Sequence, residues 1–421
     1  PDDRGEWWSP NGRVGLAHSR LAIIDLSDHA HQPMQDTSEN YTVVFNGEIY
    51  NYRELRRELV AYGYQFYTQS DTEVLLIAYR HWGDDCIKHL NGMFAFALYD
   101  RPRQRLFIAR DRTGEKPLFY SLNNGELRFA SELKALLIDS SMPRQIDPTG
   151  LDCYLAMGYV PGDHCILQGY KKLPPAHCLS FDLNSGEITL CSTWSLPPLH
   201  DSVSEREPLL SDLVSELERL LEASVARQMT ADVPVGVLLS GGLDSSLITA
   251  MAARHSDKVK TFTIGFPGHG KMDETEHARL IANHFNTDHV ELMAEPGTAD
   301  LILMLAKQFD EPVSDSSMIP TFLVSRLVRE HCTVALGGDG GDELFGGYDH
   351  YSRYLWMQKK LSFVPHWVRR LVASTSQNLL PVGARGRTYL QDLGVNFDSG
   401  LPEYITGFFD TPTRLRLLRN T

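Results

Sequence analysis

The stretch VPVGVLLSGGLDSSLITAMAARHS, from Val233 to Ser256, decides the fold of the second half of this 421-residue chain. The run VPVGVLL is typical of a buried strand, and a helix-like periodic segment follows the glycine-rich turn. Such a turn can bind an anion, because glycines let the backbone approach a ligand and the first N–H groups of a helix are unpaired. A P-loop would place a lysine here for the β and γ phosphates, whereas this turn carries Asp244.

Strand and helix patterns alternate through the rest of the second half. The helix-like run LLSDLVSELERLLEASVARQM comes first, and the strand-like runs are VPVGVLL, VKTFTIGF, DHVELMA and CTVALGG. The helix-like runs DETEHARLIANHF and IPTFLVSRLVREH lie between them. This alternation predicts an α/β domain with a doubly wound parallel sheet, whose ligands bind beyond the carboxyl ends of the strands.

A second glycine-rich segment, GGDGGDELFGG at 337–347, follows the last of these strands and carries three acidic residues. In isolation such a cluster is typical of a flexible surface loop. Because Asp244 and Asp342 both follow strands of one parallel sheet, we expect them to face one crevice. Paired carboxylates opposite bound phosphate favour a hard cation such as Mg²⁺.

The first half has a different pattern, with short strand-like runs around turns from Val14 to Trp194. Three hairpins are predicted from MFAFALYD-RPRQ-RLFIARD, PLFYSL-NNG-ELRFASE and HCLSFDL-NSG-EITLCSTW, and two helices from YRELRRELVAYG and DTEVLLIAYRHWG. This predicts an α+β domain with antiparallel sheets over 1–194. The proline-rich, charged segment 195–208 is interpreted as a linker, and 209–421 as the second domain.

Composition excludes several classes of protein. The formal charge of −14 argues against a broad nucleic-acid or membrane surface. The six cysteines have no C-x-x-C spacing, which favours a reducing compartment. No apolar run approaches the ~20 residues needed to cross a bilayer, so we expect a cytoplasmic protein.

At this point the second half resembles known enzymes. SGGLDSS is similar to the pyrophosphate loop (PP-loop) of ATP pyrophosphatases, which cleave ATP between the α and β phosphates. The segments DEPVSDSSMIPTFLVSRLVREH and VALGGDGGDELFGGYDHY resemble the glutamine-dependent asparagine synthetases of bacterial type. Where this family commonly has serine, the chain has Gly337.

The resemblance implies roles for individual residues of an ATP site. Asp244 and Asp342 would bind Mg²⁺, and Asp339 would act in formation of the intermediate or in ammonia attack. The pyrophosphate would be held by Ser240, Gly241, Gly242, Ser245 and Ser246, and the nucleotide by the main chain of Leu238, Ile264 and Gly338.

The first half resembles the class II glutamine amidotransferase domain, an N-terminal-nucleophile hydrolase with αββα layers. LAHSRLAIIDLS, YTVVFNGEIYNY, SDTEVLL and ARDRTGEKPLFY occur in the family's order. The resemblance implies that Arg20 binds the α-carboxylate of glutamine in a bidentate contact, while Asp71 with Glu48 pairs with its α-ammonium. The side chain of Asn46 and the N–H of Gly47 would form the oxyanion hole.

Each of these motifs also has a simpler interpretation. Asn46-Gly47 is the commonest type I′ hairpin turn, Arg20 suits a solvated surface, and Asp71 suits a helix N-cap. Four matches in the family's order favour the functional interpretation.

The family's nucleophile is a cysteine at the amino terminus, with its own α-amine as base. None of the six internal cysteines occupies that position. The opening residues PDD resemble the end of the family's RGPDD motif, so we expect a leading segment that carries the cysteine. TRLRLLRNT at the other end is interpreted as a helix that continues, and the family has further helices there, with a lysine that attends pyrophosphate.

These expectations combine into one function. The protein would amidate aspartate to asparagine with ammonia from glutamine, through a β-aspartyl-adenylate, using ATP and Mg²⁺ and releasing AMP and pyrophosphate. Its partners would be glutamine, aspartate and ATP, without nucleic acid or membrane, and a homodimer is compatible with the sequence. The alternatives are amidation of another carboxylate such as a sugar acid, cyclisation of a β-amino acid, or a nucleotide-binding scaffold without catalysis.

Overall fold

The computed structural model describes residues 1–197, 209–265, 274–293, 299–396 and 408–418. The chain divides into two compact units. The first unit comprises 1–138, 171–297 and 320–338, and the second comprises 139–170, 298–319 and 339–421. Most of the predicted linker, residues 198–208, lies outside the described residues, so the domain boundary stays a prediction.

The strands in chain order are β1 (Asp3–Trp8), β2 (Gly15–Arg20), β3 (Met34–Gln35), β4 (Tyr41–Ile49), β5 (Gly92–Asp100), β6 (Arg105–Arg110), β7 (Phe119–Asn123), β8 (Glu126–Ala130), β9 (Lys171–Lys172), β10 (His177–Asp182), β11 (Ile188–Ser192), β12 (Val235–Leu238), β13 (Lys260–Gly265), β14 (Asp288–Met293) and β15 (Val334–Leu336). The α-helices are α1 (Tyr52–Ala61), α2 (Asp71–Trp82), α3 (Cys86–His89), α4 (Leu133–Leu136), α5 (Pro148–Met157), α6 (Leu210–Gln228), α7 (Leu243–His255), α8 (Thr275–Phe285), α9 (Ala299–Gln308), α10 (Met318–Val328), α11 (Gly341–Phe345), α12 (Asp349–Leu361), α13 (His366–Leu379), α14 (Arg387–Asp392) and α15 (Thr411–Leu418).

The amino-terminal part of the first unit is built from antiparallel sheets. A six-stranded sheet has the order β11-β10-β6-β5-β4-β3, and β7 pairs with β8 and β9 in a second sheet. Phe45 and Phe96 of the larger sheet pack with Leu59 of α1 and Leu75 of α2 in one core. The residues that alternate with them along β4 and β5 have their side chains on the opposite face of the sheet, and these pack with β7 in a second core. The alternation of side chains along β4 and β5 therefore places a helical layer against one face and a sheet against the other.

The later part of the first unit contains one parallel sheet of order β14-β13-β12-β15. Val237 of β12 packs with Val225 of α6 and with Met251 and Ala252 of α7. The predicted fold class is confirmed: antiparallel α+β structure comes first and a parallel α/β sheet follows. The three predicted hairpins are also present as β5–β6, β7–β8 and β10–β11.

The second unit is helical. It contains α5, α9 and the helices from α11 to α15, and α5 contacts α15. Arg414 of α15 donates a hydrogen bond to Asp152 of α5 at 3.0 Å. Across the described ranges, no helix is both long enough and apolar enough to cross a membrane.

Candidate functional site

A polar cavity in the amino-terminal part of the first unit contains all five residues predicted to bind glutamine. They come from the end of β2, from β4 and from the start of α2. The residues lining the cavity are His18, Ser19, Arg20, Leu21, Ile23, Ile24, Gln32, Phe45, Asn46, Gly47, Glu48, Asp71, Thr72, Met93 and Lys116.

Asn46 and Gly47 lie inside β4, opposite Ala95 and Phe94 of β5, so the alternative of a hairpin turn is wrong. Gly47 has φ of +155°, and a Cβ there would lie 2.1 Å from the carbonyl oxygen of Met93. The close approach of the two strands therefore requires glycine at this position. The Asn46 Nδ2 donates to Ser131 Oγ at 3.2 Å, which orients the amide.

Arg20 is buried at the end of β2, with 7 % of its surface exposed, so the alternative of a solvated charge is wrong. Its Nη2 donates to the carbonyl oxygens of Ile24 at 3.1 Å and Asp25 at 2.5 Å, and its Nη1 donates to that of Ser27 at 3.3 Å. These contacts use three of the five guanidinium N–H donors. The others, on Nε and Nη1, are available to a ligand.

Asp71 is the first residue of α2, and Ser70 caps this helix by accepting from the N–H of Glu73 at 3.2 Å. The N-cap interpretation of Asp71 is therefore wrong by one residue. The Asp71 Oδ2 instead accepts from the N–H of Ile49 at 3.0 Å, which joins the start of α2 to the end of β4. Burial raises the pKa of Asp71 to about 6.

Glu48 lies beside Asp71 and is equally buried. Burial, and then the neighbouring charge of Asp71, raise the pKa of Glu48 to about 7. Its Oε1 is buried and accepts no hydrogen bond from the described residues. Two buried carboxylates with raised pKa values and an unused acceptor suit a ligand that brings a positive charge and N–H donors.

Ten of the lining residues were not predicted from the sequence, and three of these bring nitrogen-bearing side chains to the cavity. Gln32 brackets Phe45 in β4, because its Oε1 accepts from the N–H of Phe45 at 2.7 Å and its Nε2 donates to the carbonyl oxygen at 3.2 Å. Lys116 lowers the pKa of Glu48, though less than burial raises it. The Nδ1 of His18 is buried and has no hydrogen-bond partner within the described ranges, and burial lowers the pKa of His18. His18 and Lys116 lie within the segments LAHSRLAIIDLS and ARDRTGEKPLFY, so the resemblance of these segments to the family could have identified both residues as part of the site.

All six cysteines lie in the described part of the chain, and none of them lines this cavity. Burial raises the pKa of the Cys86 thiol far above its usual range.

The predicted ATP site lies at the carboxyl edge of the parallel sheet. The segment 240–246 joins β12 to α7, and β12 lies between β13 and β15. The chain proceeds from β12 to β13 and β14 on one side and returns to β15 on the other, so the strand order reverses beside β12. Ligands of open parallel sheets bind at such a reversal.

The turn has the geometry of an anion site. Gly241 has φ of +82°, and a Cβ there would lie 2.6 Å from the N–H nitrogen of Ala278, so only glycine fits. The hydroxyls of Ser240 and Ser245 lie 2.9 Å apart, and Ser240 Oγ accepts from the N–H of Gly242 at 3.2 Å. The Ser246 Oγ is buried without a partner among the described residues.

The other predicted nucleotide residues lie at the same edge. Leu238 is the last residue of β12, Ile264 is the penultimate residue of β13, and Gly338 follows β15. A Cβ on Gly338 would lie 2.9 Å from the Cβ of Asp244 and 3.0 Å from the N–H nitrogen of Ser245. The segment after β15 therefore packs directly on the first turn of α7.

Asp339 and Asp342 belong to the second unit, whereas Asp244 belongs to the first. Asp342 is in the first turn of α11, and Gly347 donates its N–H to the Asp342 carbonyl oxygen at 3.1 Å. Among the described residues no group of three or more His, Cys, Asp or Glu side chains is arranged to hold a metal ion. Pairing of Asp244 with Asp342 around Mg²⁺ stays a prediction.

Comparisons with known proteins cover most of the chain. Residues 1–194 match the family model described as a glutamine amidotransferase domain, and 216–397 match the model described as asparagine synthase.

Three curated relatives are similar over long alignments. A Methanocaldococcus jannaschii protein, provisionally named a glutamine-hydrolysing asparagine synthetase 2, is 38 % identical over 83 % of this chain and 70 % of its own length. A Mycobacterium tuberculosis protein of the same provisional name, without the number, is 37 % identical over 93 % of this chain and 61 % of its own. The glutamine-hydrolysing asparagine synthetase 1 of Bacillus subtilis is 35 % identical over 93 % and 60 % respectively. The aligned part of the chain thus spans 60–70 % of the length of these relatives.

Proposed function

Because the chain belongs to the family of glutamine-hydrolysing asparagine synthetases, we propose that the protein transfers ammonia from glutamine to the side-chain carboxylate of aspartate in an ATP-dependent ligase reaction. The observation that carries this proposal is the pair of buried carboxylates, Glu48 and Asp71, in one cavity with the buried guanidinium of Arg20. That combination is complementary to a free α-amino acid, which presents an ammonium and a carboxylate on one carbon.

In the glutaminase half, Glu48 and Asp71 bind the α-ammonium, and Arg20 binds the α-carboxylate through its remaining N–H donors. The side-chain amide of glutamine then lies toward β4, where Asn46 Nδ2 and the N–H of Gly47 stabilise the oxyanion. The attacking thiol is the amino-terminal cysteine expected from the family resemblance. Its sulfur adds to the amide carbon, the C–N bond breaks, ammonia leaves, and water hydrolyses the resulting thioester.

In the synthetase half, the chemistry requires activation of the acceptor. A carboxylate does not react with ammonia, because the leaving group would be oxide. Transfer of AMP from ATP to the aspartate oxygen releases pyrophosphate and creates a β-aspartyl-adenylate, from which ammonia displaces AMP. The family implies ATP as the substrate, and the unpaired Ser246 hydroxyl, the Gly241 turn and the amino terminus of α7 suit the departing pyrophosphate. We further propose that Asp339 acts in formation of the adenylate or in the attack of ammonia.

A lysine-free turn needs another positive charge near the pyrophosphate. The carboxylate oxygens of Asp244 and Asp342 are the ligands that Mg²⁺ prefers, so these residues fit the ion by the chemistry of their donors. When bound, Mg²⁺ would neutralise charge on the phosphate oxygens. Asp244 is in the first turn of α7, directly within the predicted pyrophosphate loop.

The products test the proposal. The full-length enzyme, given aspartate, ATP and either glutamine or ammonia, should form asparagine, AMP and pyrophosphate in equal amounts. Aspartate-dependent formation of ADP and phosphate would refute adenylation. Formation of AMP only when a different carboxylate is supplied would show that this other compound, and not aspartate, is the acceptor.

Metal binding has a separate test. Asp244→Asn and Asp342→Asn should each abolish most ammonia-dependent synthesis while glutaminase activity is kept. Asp257→Asn, which removes the same charge from the exposed segment between α7 and β13, serves as the matched control. Normal synthesis by either site variant at ordinary Mg²⁺ concentration would contradict the assignment.

A further inference from the structure

The carbonyl oxygens that hold Arg20 all come from one short segment, which we call the arginine loop and define as residues 21–27. Ile24, Asp25 and Ser27 each accept from the guanidinium. The orientation of Arg20 in the cavity therefore depends on the backbone conformation of this loop.

Asp25 fixes that conformation. Its φ is +56°, a left-handed conformation that is uncommon for a residue with a side chain and that needs support from its surroundings. Its Oδ1 accepts from the N–H and the hydroxyl of Ser27, at 3.1 and 2.6 Å. Its Oδ2 accepts from the N–H of Gln69 at 2.6 Å, two residues before Asp71. One side chain thus joins the arginine loop to the segment that carries the other end of the glutamine site.

The support for Asp25 comes from outside the amidotransferase region. Asp232, between α6 and β12, accepts from the N–H of Asp25 through Oδ2 at 2.8 Å. The N–H of Asp232 in turn donates to the carbonyl oxygen of Ile23 at 3.0 Å. Asp232 therefore brackets the left-handed residue from two sides, three residues before the strand that leads into the predicted pyrophosphate loop.

We propose that Asp232 is a positioning residue of the glutamine site, through which the synthetase region holds the arginine loop and hence the Arg20 guanidinium. The proposal rests on the proposed glutaminase function, which it deepens by assigning part of the glutamine site to the synthetase sequence. Asp232 is not among the residues that line the cavity, so its effect on the site is transmitted by the backbone of Asp25.

The consequence differs between the two reactions. Without the carboxylate, the N–H of Asp25 loses its acceptor and the left-handed conformation loses one support, so Arg20 is held less firmly. Binding of the glutamine α-carboxylate should weaken, which raises KM for glutamine. Synthesis from free ammonia does not use this site and should be unaffected.

The test uses the full-length enzyme with Asp232→Ala, Asp232→Asn and the control Asp257→Ala. Because the contact is an exposed hydrogen bond to a charged acceptor, we expect Asp232→Ala to raise KM for glutamine about 3- to 10-fold, with kcat little changed. Asparagine can accept the same hydrogen bond through Oδ1, so Asp232→Asn should restore most of the affinity. Asp257→Ala should match the wild type in KM and in ammonia-dependent synthesis.

A second measurement reads the loop directly. Amide hydrogen exchange of peptides covering 21–27 should be faster in Asp232→Ala than in the wild type, while peptides from β4 and β5 keep their protection. Unchanged exchange in the loop, or an unchanged KM in an active enzyme, overturns the positioning role. A wild-type enzyme without glutaminase activity instead rejects the proposed function, and the exchange result still decides the role of Asp232.

A different observation concerns two cysteines on adjacent strands. Cys178 of β10 and Cys191 of β11 are directly opposite each other. The flanking pairs Ala176 with Thr193 and Asp182 with Glu187 are joined by N–H to carbonyl bonds of 2.7 and 3.0 Å. Since such pairs alternate along an antiparallel ladder, the two cysteines form a hydrogen-bonded pair, whose Cα atoms are typically about 5.5 Å apart. This Cα separation lies within the range of disulfides, and the Cβ atoms, about 4.5–5.5 Å apart in opposite pairs, must move closer together for the bond to form.

We infer that Cys178 and Cys191 are a modification site that closes to a disulfide when it meets a small-molecule disulfide such as oxidised glutathione. The exposed Cys191 thiolate attacks the glutathione disulfide and releases one glutathione thiol. The Cys178 sulfur then attacks the mixed disulfide and releases the second, so two protein thiols become one disulfide and two glutathiones are formed. Burial, and then the Cys191 charge, raise the pKa of Cys178 to about 11, so Cys191 reacts first.

Mass spectrometry of the oxidised protein tests this inference. The wild type treated with oxidised glutathione should lose two thiols and give a peptide pair cross-linked between Cys178 and Cys191. Cys178→Ser should instead keep a glutathione adduct on Cys191, and Cys191→Ser should leave Cys178 unmodified. A persistent glutathione adduct on Cys191 of the wild type, or no reaction there, overturns the inference.

Discussion

Replacement of Glu48 by glutamine should stabilise the folded protein in the absence of ligand, although it removes a residue that we assign to the glutamine site. The pKa of Glu48 is raised from 4.5 to about 7, so the folded protein retains a proton that the unfolded chain has lost. The sign follows directly: below about pH 4.5 the group contributes nothing, and stability is lost as the pH rises from there through 7. At pH 8 the full shift amounts to about 3 kcal/mol.

The Glu48→Gln substitution removes this charge, but the new side-chain amide has N–H groups that also need hydrogen-bond partners in the cavity. We therefore expect Glu48→Gln to raise the free energy of unfolding by about 1–3 kcal/mol at pH 8. At pH 5 we expect little change, because Glu48 is then already protonated in the folded protein. Denaturant unfolding at the two pH values, without glutamine, measures the difference.

Glu58→Gln, on the exposed face of α1, is the matched control and should have no pH-dependent effect. Isothermal titration with glutamine should show weaker binding to Glu48→Gln, since one partner of the ammonium is neutral. Equal effects on stability at pH 5 and pH 8, or a loss of stability at pH 8, would refute the electrostatic reasoning.

The same raised pKa values predict that the affinity for glutamine falls as the pH falls through 7 and 6, because protonated carboxylates do not attract an ammonium; titration calorimetry between pH 5.5 and 8.5 measures this, and a constant Kd contradicts it. Gly47→Ala places a Cβ 2.1 Å from the Met93 carbonyl oxygen, so it should cost more than about 2 kcal/mol of unfolding free energy and abolish glutaminase activity. Gly63 also has a positive φ, but a Cβ there meets open space, so Gly63→Ala should cost only about 1 kcal/mol of unfolding free energy. Equal losses of stability in the two variants would show that the steric clash does not determine the effect of Gly47→Ala. Gly338→Ala should raise KM for ATP and spare glutaminase activity, because the added carbon presses on the first turn of α7. An unchanged KM for ATP in Gly338→Ala would contradict the close packing at this edge.

The strands of the parallel sheet could be predicted because β12 and β15 are short apolar runs and β13 and β14 carry apolar residues at alternate positions; both patterns are local and need no tertiary information. Helix α5 was missed although its signals are local. Asp147 caps it by accepting from the N–H of Gly150 at 2.8 Å, Pro148 is its first residue, and Gly158 ends it with φ of +78°. Its apolar residues are not concentrated on one face, so the segment lacks the helical periodicity that identifies an amphipathic helix.

The residues of the candidate glutamine site were predicted from motifs, and the structure brings them together in one cavity, but the physical properties of that cavity were not predictable from the motifs. A sequence does not reveal that three backbone carbonyl groups accept hydrogen bonds from the Arg20 guanidinium, because these contacts depend on the backbone conformation of the arginine loop. The raised pKa of Glu48 likewise arises from burial and from Asp71, which lies 23 residues away in sequence and joins β4 only in the folded chain. The sequence also does not distinguish Ser70 from Asp71 as the N-cap of α2, since both residue types serve equally well.

The pairing of β12 with β15 constrains how the protein is made on the ribosome. Val237 pairs with Leu336, so one edge of β12 has no partner until about 100 further residues have been synthesised, which takes about 5–20 s. During that interval the exposed edge can pair with other chains, and the helix that follows it lacks the support of Gly338. Newly made chains should therefore depend on chaperones until β15 emerges, and a slow codon between β14 and β15 should lower the soluble yield more than one placed after β15.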